Sequence, residues 1–203
     1  MFCESIGANK GADAVRCPKD FDVTLETGQL REDLSAECCP TCQGAWIESE
    51  TYQKWQRSQV DLSANLDDLP LPSALQIDYR PSPLDGRAGL CPNCGHYLVR
   101  GRINLRSTAF FVERCPVCKG MWCDRGEWNV LEQLKLDSLI PLIFTDDWQA
   151  HIRAKESEYR EKQATIDKLG PEIAEKIFEL ANLLEKHPNG DFGVAYLMRR
   201  FET

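Results

Sequence analysis

Apolar and polar residues are spaced differently in two parts of the chain. Residues 98–114, LVRGRINLRSTAFFVER, are rich in strand-forming residues and have polar residues at their centre, a pattern typical of a β-hairpin. From residue 124 onward, in DRGEWNVLEQL, the apolar residues take the spacing of a helix. The pattern predicts an α+β protein in which small hairpin modules precede a helical C-terminal segment.

The C-terminal segment is expected to contain a succession of helices. A first helix stops near Pro141, and a long, charged helix starts at the N-cap candidate Thr145. Gly170 ends that helix and Pro171 opens an amphipathic helix, which stops at HPNG and leaves VAYLMRRFET as a short terminal helix or arm. Such a hairpin is suited to docking or self-association, or alternatively to packing as a cap on the modules. The apolar face of the amphipathic helix consists of Ile173, Ile177, Leu180 and Leu184.

The cysteines reveal an internal repeat. CPTCQGAWIESETYQKW, residues 39–55, aligns with CPVCKGMWCDRGEWNVL, residues 115–131. Upstream, CPKD at residues 17–20 aligns with CPNC at residues 91–94. This agreement indicates a duplicated module. The matched pairs are Cys39 with Cys115, Cys42 with Cys118, Gly44 with Gly120, Trp46 with Trp122, and acidic Glu48 with Asp124.

The second module has the spacing of a zinc site with four cysteine ligands. Each C-P-x-C turn directs two sulfur atoms at one ion and backbone N–H groups at the thiolates. A unit this small buries too little apolar surface to fold without the metal. We expect Gly120 to permit a backbone turn that other residues disfavour, and Trp122 to cover the metal-binding turn. The predicted ligands are Cys91, Cys94, Cys115 and Cys118.

The motif CPNCGHYLV…CPVCKGMWCDRGEW resembles the zinc-ribbon family named for the zinc-binding domain of transcription factor IIB. The resemblance is strong over residues 91–132 and weaker over residues 17–56. It implies a zinc ion and a ribbon fold, and it suggests a link to transcription.

The first module lacks one cysteine of the pattern. Cys17, Cys39 and Cys42 are in place, and Asp20 stands where the second module has its second cysteine. Asp20 is the favoured fourth ligand, with zinc held more weakly than by four thiolates. The alternatives are Cys3 on an upstream arm, Cys38, which neighbours Cys39 and is poorly aimed, or an empty site. The predicted domains are this degenerate module with a short helix (1–59), a linker rich in proline and aspartate (60–89), the intact module (90–135) and a helical region (136–203).

The linker is expected to be an extended connector with one strand at residues 75–79. It acts as a spacer, or alternatively binds in a groove or adds a strand to a module.

Composition narrows the classes of protein further. The net charge of −8 argues against general nucleic-acid binding. No apolar run is long enough to span a membrane, and the N-terminus lacks the pattern of a secretory signal. We therefore expect a cytoplasmic protein, in a compartment where disulfides do not persist. Cys123, which aligns with Ile47, is expected to be buried and inert.

Basic residues in the second module leave the choice of partner open. They could balance the charge of a zinc–thiolate centre, contact an acidic protein surface, or bind nucleic acid together with aromatic residues. No nucleophile–base pair or phosphate-binding loop stands out, so we expect no enzyme. The favoured function is a zinc-binding adaptor, assembly or transcription-associated factor, and the alternative is a nucleic-acid-binding regulator. The candidate arginines are Arg100, Arg102, Arg106 and Arg114.

Overall fold

The computed structural model describes residues 3–7, 15–59 and 69–201, and these form one sheet of seven strands and six α-helices. Neighbouring strands are antiparallel, in the order β1-β2-β3-β4-β7-β6-β5. The strands are β1 (Glu4–Gly7), β2 (Glu26–Arg31), β3 (Leu34–Cys38), β4 (Ala45–Ile47), β5 (Val99–Asn104), β6 (Ala109–Arg114) and β7 (Met121–Cys123).

One helix, α1, follows β4, and the other five helices follow β7. This arrangement confirms the predicted α+β class. They are α1 (Ser49–Ser58), α2 (Glu127–Gln133), α3 (Ile140–Ile143), α4 (Asp146–Leu169), α5 (Pro171–Lys186) and α6 (Gly190–Phe201). Short 3₁₀ turns occur at Pro72–Ala74 and Asp137–Leu139. Of the helices described, none combines the length and the apolar character needed to cross a membrane. The chain divides into two compact units, Met1–Ile152 and Arg153–Thr203.

Two three-stranded arrangements of the same kind make up most of the sheet. The hairpin β2–β3 is followed by β4, and the hairpin β5–β6 is followed by β7. The hairpin predicted at residues 98–114 is therefore confirmed. The two arrangements meet where β4 pairs with β7, with Trp46 opposite Trp122.

The two glycines of the repeat serve this junction. A Cβ atom on Gly44 would lie 2.2 Å from Cζ2 of Trp122, and one on Gly120 would lie 2.3 Å from Cζ2 of Trp46. The expectation that Gly120 permits an unusual turn is wrong, because the left-handed residues are its neighbour Lys119 (φ 65°) and the equivalent Gln43 (φ 61°). Glycine is needed here because the tryptophan of the other module lies directly against its backbone.

Helices of the first unit cover an apolar cluster that spans both modules. The rings of Trp55 on α1 and Trp128 on α2 meet edge to face, with their centroids 5.5 Å apart. Leu131 and Ile143 are fully buried in the same cluster, and Trp148 in the first turn of α4 joins it. The residues that follow the second module therefore contribute to a core shared with the first.

The residues between the modules also pack on this cluster. Ile77 and Asp85 are buried, and the Tyr79 ring meets Phe110 of β6 edge to face at 5.3 Å. Within the described linker residues 69–89, the strand predicted at 75–79 does not form, because this segment contacts the sheet through side chains rather than through backbone pairing. The segment is part of the core rather than a free spacer.

Helix boundaries follow local sequence signals with one correction. The hydroxyl oxygen of Thr145 accepts a hydrogen bond from the N–H of Trp148 at 3.3 Å, which confirms the N-cap of α4. Gly170 has a φ of 77°, and Pro171 begins α5 as predicted. The helix expected to stop near Pro141 ends earlier, at Gln133, and Pro141 instead lies in the first turn of α3, where its missing N–H costs nothing.

The packing of the glycines on tryptophan generates a stability prediction. We expect Gly120→Ala to lower the free energy of unfolding by about 3 kcal/mol, because the added methyl group must displace a buried ring. Gly86→Ala is the matched control: a Cβ atom there meets nothing within 4 Å, so its effect should stay within about 0.5 kcal/mol. Urea unfolding in saturating zinc, followed by tryptophan fluorescence, measures both. Equal unfolding midpoints for the two variants would contradict the packing described.

Candidate metal centre

Four cysteines of the second module converge on one point. Their sulfur atoms all lie within 4.8 Å of one another, with Cys91 Sγ 3.4 Å from Cys118 Sγ and Cys94 Sγ 3.4 Å from Cys115 Sγ. A tetrahedral zinc ion with Zn–S bonds of about 2.3 Å requires sulfur atoms about 3.8 Å apart. The cluster therefore fits zinc, and a small expansion brings it to the ideal size.

Backbone groups around Cys115 favour the thiolate that a metal requires. The N–H groups of Val117 and Cys118 each donate to Cys115 Sγ at 3.4 Å. Burial opposes ionisation of Cys115, but these donors, together with the thiols of Cys94 and Cys118, outweigh it and lower the pKa of Cys115 to about 6. Burial raises the pKa of Cys91, its neighbour in the cluster. Binding of a metal must therefore displace protons, which links affinity to pH.

Three cysteines of the first module form a second cluster. Cys17, Cys39 and Cys42 have sulfur atoms within 4.8 Å of one another, and Cys17 Sγ lies 3.7 Å from Cys42 Sγ. The N–H of Cys42 donates to Cys39 Sγ at 3.4 Å, as the N–H of Cys118 does to Cys115. These three thiols could hold a second metal ion.

The structure does not bring Asp20, the favoured fourth ligand, into the three-cysteine group. Its Oδ1 atom instead accepts a hydrogen bond from the N–H of Asp22 at 3.3 Å. An aspartate side chain readily makes this contact two residues along its own backbone. The role of Asp20 as a ligand stays a prediction.

The two other candidate ligands are also outside the cluster. Cys3 and Cys38 form a disulfide, with their Cα atoms 5.6 Å apart. β1 begins one residue after Cys3 and pairs with β2, which in turn pairs with β3, the strand that ends at Cys38. This strand order brings the two cysteines together, and it corrects the expectation that the chain forms no disulfide. Cys123 is buried, as predicted.

Comparison with known proteins supports the four-cysteine cluster of the second module as a zinc site. The family model described as a transcription factor zinc-finger, of the zinc-ribbon TFIIB type, matches residues 90–135. The match includes all four cysteines of the second module and does not extend to residues 17–42. No curated protein and no solved structure is significantly similar to the chain. Residues 90–135 are a TFIIB-type zinc ribbon, and Cys91, Cys94, Cys115 and Cys118 are its zinc site.

A buried lysine, which sequence reasoning missed, connects the two modules. Lys19 lies inside the C-P-x-D turn of the first module and is 1 % exposed. Its Nζ atom lies 2.9 Å from Glu113 Oε1 and 3.7 Å from Asp124 Oδ2, and it donates to the carbonyl oxygen of Arg87 at 2.7 Å. A buried ammonium group requires such partners.

The other module makes a related contact. Asn93, which aligns with Lys19, donates through Nδ2 to Glu48 Oε1 at 3.1 Å, and Glu48 aligns with Asp124. Each C-P-x turn therefore contacts the acidic residue that lies two positions after the tryptophan of the other module. The acidic residues at aligned positions were a usable signal, but only the contact between modules shows what they bind.

Further carboxylates are buried around Lys19. Burial raises the pKa of Glu113 to about 7, although the nearby Lys19 charge opposes the shift. Burial also raises the pKa of Asp124 and of Glu127, whose Oε2 atom accepts the N–H of Asp124 at 2.8 Å. Asp85 of the linker accepts the N–H of Phe111 at 3.1 Å and so attaches the linker to β6. These groups form an internal polar network beside the ribbon.

The four candidate arginines have different surroundings. Arg100 stacks on Phe111, with Cζ 3.8 Å from the ring centre, and donates to the carbonyl oxygen of Asp85. Arg114 is half-buried beside Phe144, and burial lowers its pKa. Arg102 and Arg106 are exposed on the hairpin β5–β6. Of the four, Arg102 and Arg106 are thus the exposed ones, and Arg100 and Arg114 are partly buried.

Removing Lys19 should destabilise the fold. We expect Lys19→Met to lower the free energy of unfolding by about 3 kcal/mol at pH 8, because it leaves buried carboxylates without their cation. Lys54→Met, on the exposed side of α1, is the matched control and should change stability by less than about 0.5 kcal/mol. Urea unfolding in saturating zinc measures both variants. A wild-type midpoint for Lys19→Met would show that the network contributes nothing net.

Zinc content should depend on the four ribbon cysteines and not on the buried thiol of Cys123. We expect Cys118→Ser to lose one zinc ion per chain, because three thiolates and a hydroxyl hold zinc less tightly than four thiolates. Cys123→Ser should retain the full zinc content of the wild type. Native mass spectrometry of gently isolated protein gives both numbers. Undiminished zinc in Cys118→Ser would contradict the assigned site.

Proposed function

We propose that the protein is a non-enzymatic interaction protein, in which two tandem zinc ribbons form a rigid scaffold that binds a partner protein. The observation that carries the proposal is the pair of exposed arginines on the hairpin β5–β6, Arg102 and Arg106. Exposed apolar side chains in the second unit add another surface for association. Eleven of the fifteen large apolar side chains exposed in the described residues lie between Leu169 and Phe201. An exposed apolar surface of this kind is typical of a site of association.

The proposal treats residues 17–56 as a second, degenerate ribbon. The order of hairpin, cysteine turn, third strand and helix is the same in both modules. The reciprocal contacts of Gly44 with Trp122 and of Gly120 with Trp46 also support a duplicated unit. On this interpretation the three-cysteine cluster binds a second zinc ion more weakly than the first, with the fourth position taken by Asp20 or left to solvent.

The chemistry of the zinc site favours a structural role. Four thiolates fill the coordination sphere of zinc, whereas a catalytic zinc keeps one position for water or substrate. The buried carboxylates around Lys19 are held in an internal network. These features support binding rather than catalysis.

The hairpin β5–β6 is the proposed contact of the ribbon with its partner. Arg102 and Arg106 are exposed there, and the chain as a whole is acidic. Two exposed guanidinium groups suit a small acidic patch on another protein, such as a component of the transcription apparatus. A phosphate backbone is the second candidate, because the same two arginines could pair with phosphates.

Affinity purification from the host cells should separate the two candidates. We expect the full chain, crosslinked in cells and then treated with nuclease, to retain a partner protein. Arg102→Glu combined with Arg106→Glu should lose it, because the charge reversal repels an acidic surface. The matched control is Lys54→Glu combined with Arg57→Glu on α1, which makes the same charge change on another exposed surface.

A different outcome would favour nucleic acid. Recovery of nuclease-sensitive nucleic acid without a protein, together with oligonucleotide binding that weakens steeply with salt, would replace the adaptor role by the regulator role. Loss of the partner in the control pair as well would show that the hairpin is not the contact.

A further inference from the structure

We propose that the groove between α5 and α6 binds the same groove of a second copy of this chain, so that two helical hairpins form an antiparallel four-helix bundle. The inference rests on the proposed interaction role and extends it, since it names the occupant of the apolar surface in the second unit. Both helices lie within residues 171–201.

Residues of both helices line the groove. It has a volume of about 800 Å³. Near the turn between the helices the backbone of α6 packs on a side chain of α5, because a Cβ atom on Gly193 would lie 2.6 Å from Cδ2 of Leu184. Away from the turn the apolar faces of α5 and α6 both open into the groove. The apolar residues that line it include Ile177, Leu180, Leu184, Val194, Leu197, Met198 and Phe201.

The exposed apolar area is of the order that a dimer interface needs. Seven large apolar side chains in and beside the groove are 37–82 % exposed. Phe201 presents about 150–250 Å² when fully exposed. The six smaller side chains add to it, so that the seven together offer on the order of several hundred Å². A stable protein interface removes about 800 Å² from each partner. The seven residues are Ile173, Ile177, Leu180, Val194, Leu197, Met198 and Phe201.

Charge at the two ends of the hairpin favours a second copy as the occupant. Glu185 and Asp191 line the groove near the turn, where Lys186 offsets one of the two charges. Arg199 and Arg200 lie in the last turn of α6 at the opposite end and beside the groove, where Glu172 of α5 is already paired with Lys176. In the described part of the chain, neither Glu185 and Asp191 nor the two arginines form an ion pair. A two-fold axis perpendicular to the helices turns one hairpin end for end, and so places the arginines of each copy beside the carboxylates of the other.

The helices themselves suit this arrangement. Each hairpin has two antiparallel helices with apolar faces toward the groove, which is half of a four-helix bundle. A second copy presents the same two faces and fills the groove with side chains of the same size and kind. The pairing closes on itself, so it produces a dimer rather than a filament.

Sedimentation equilibrium of the full, zinc-loaded chain tests the proposal. The protein concentration is varied from about 1 to 100 µM, a range suited to a dimer with an interface of this size. We expect the wild type to sediment at twice the 23.1 kDa mass of one chain. Ile177→Asp and Leu197→Asp should each raise the dissociation constant at least about 100-fold, because a buried charge replaces an apolar contact at the interface. Leu183→Asp and Phe192→Asp are the matched controls: these side chains are 68 % and 70 % exposed but lie outside the groove, so both variants should stay dimeric.

A charge exchange tests the antiparallel arrangement. Asp191→Arg should weaken the dimer about 10-fold, since it faces arginines of the other copy, and adding Arg199→Asp should restore the wild-type constant. A monomeric wild type at every concentration, or a dimer that survives Ile177→Asp and Leu197→Asp, would overturn the proposal. A charge exchange that fails to restore pairing would overturn the arrangement.

The two proposals can fail separately. A monomer that still captures an arginine-dependent partner leaves the adaptor role intact and removes the dimer. A dimer that captures no partner leaves the self-association intact and removes the adaptor role.

Discussion

The close packing of each module's tryptophan on the other module's glycine is the constraint on which the first unit depends. Trp122 lies against Gly44 and Trp46 against Gly120, at distances that leave no room for a side chain. Both rings belong to the apolar cluster that contains Cys17, Cys39, Cys91 and Cys115. The metal-binding turns and the junction of the two modules are therefore stabilised by the same contacts, and neither module has a separate core.

Polar contacts reinforce the same junction. Lys19 extends from the first cysteine turn into the acidic pocket of the second module, and Asn93 extends from the second turn to Glu48 of the first. A buried ion pair adds little net stability, but it penalises arrangements that leave its members unpaired. The network thus favours one relative placement of the two cysteine clusters. Zinc in the second module stabilises the turn that carries Asn93, so metal binding and assembly of the modules are linked.

The two units divide the proposed functions between them. In the first unit most of the large apolar residues are buried, and the arginines Arg102 and Arg106 are exposed on the surface of one hairpin. In the second unit the apolar faces of α5 and α6 are largely exposed. Self-association through that surface would give each assembly two ribbon scaffolds, and two weak contacts with one partner then act with an increased effective concentration.

Sequence alone determined the features that depend on local chemistry. The four ligands Cys91, Cys94, Cys115 and Cys118, the hairpin between their turns, the cap at Thr145 and the break at Gly170 follow from spacing and residue type, because each involves neighbours in the chain. Tertiary structure alone decided the burial of Lys19 and the need for glycine at position 120, where Trp46 leaves no room for a side chain. It also decided the packing of the linker on the core and the pairing of Cys3 with Cys38. These contacts join residues far apart in the chain, from 26 positions between Asp85 and Phe111 to 94 between Lys19 and Glu113. A linear pattern carries no record of which surfaces meet when two modules share one core.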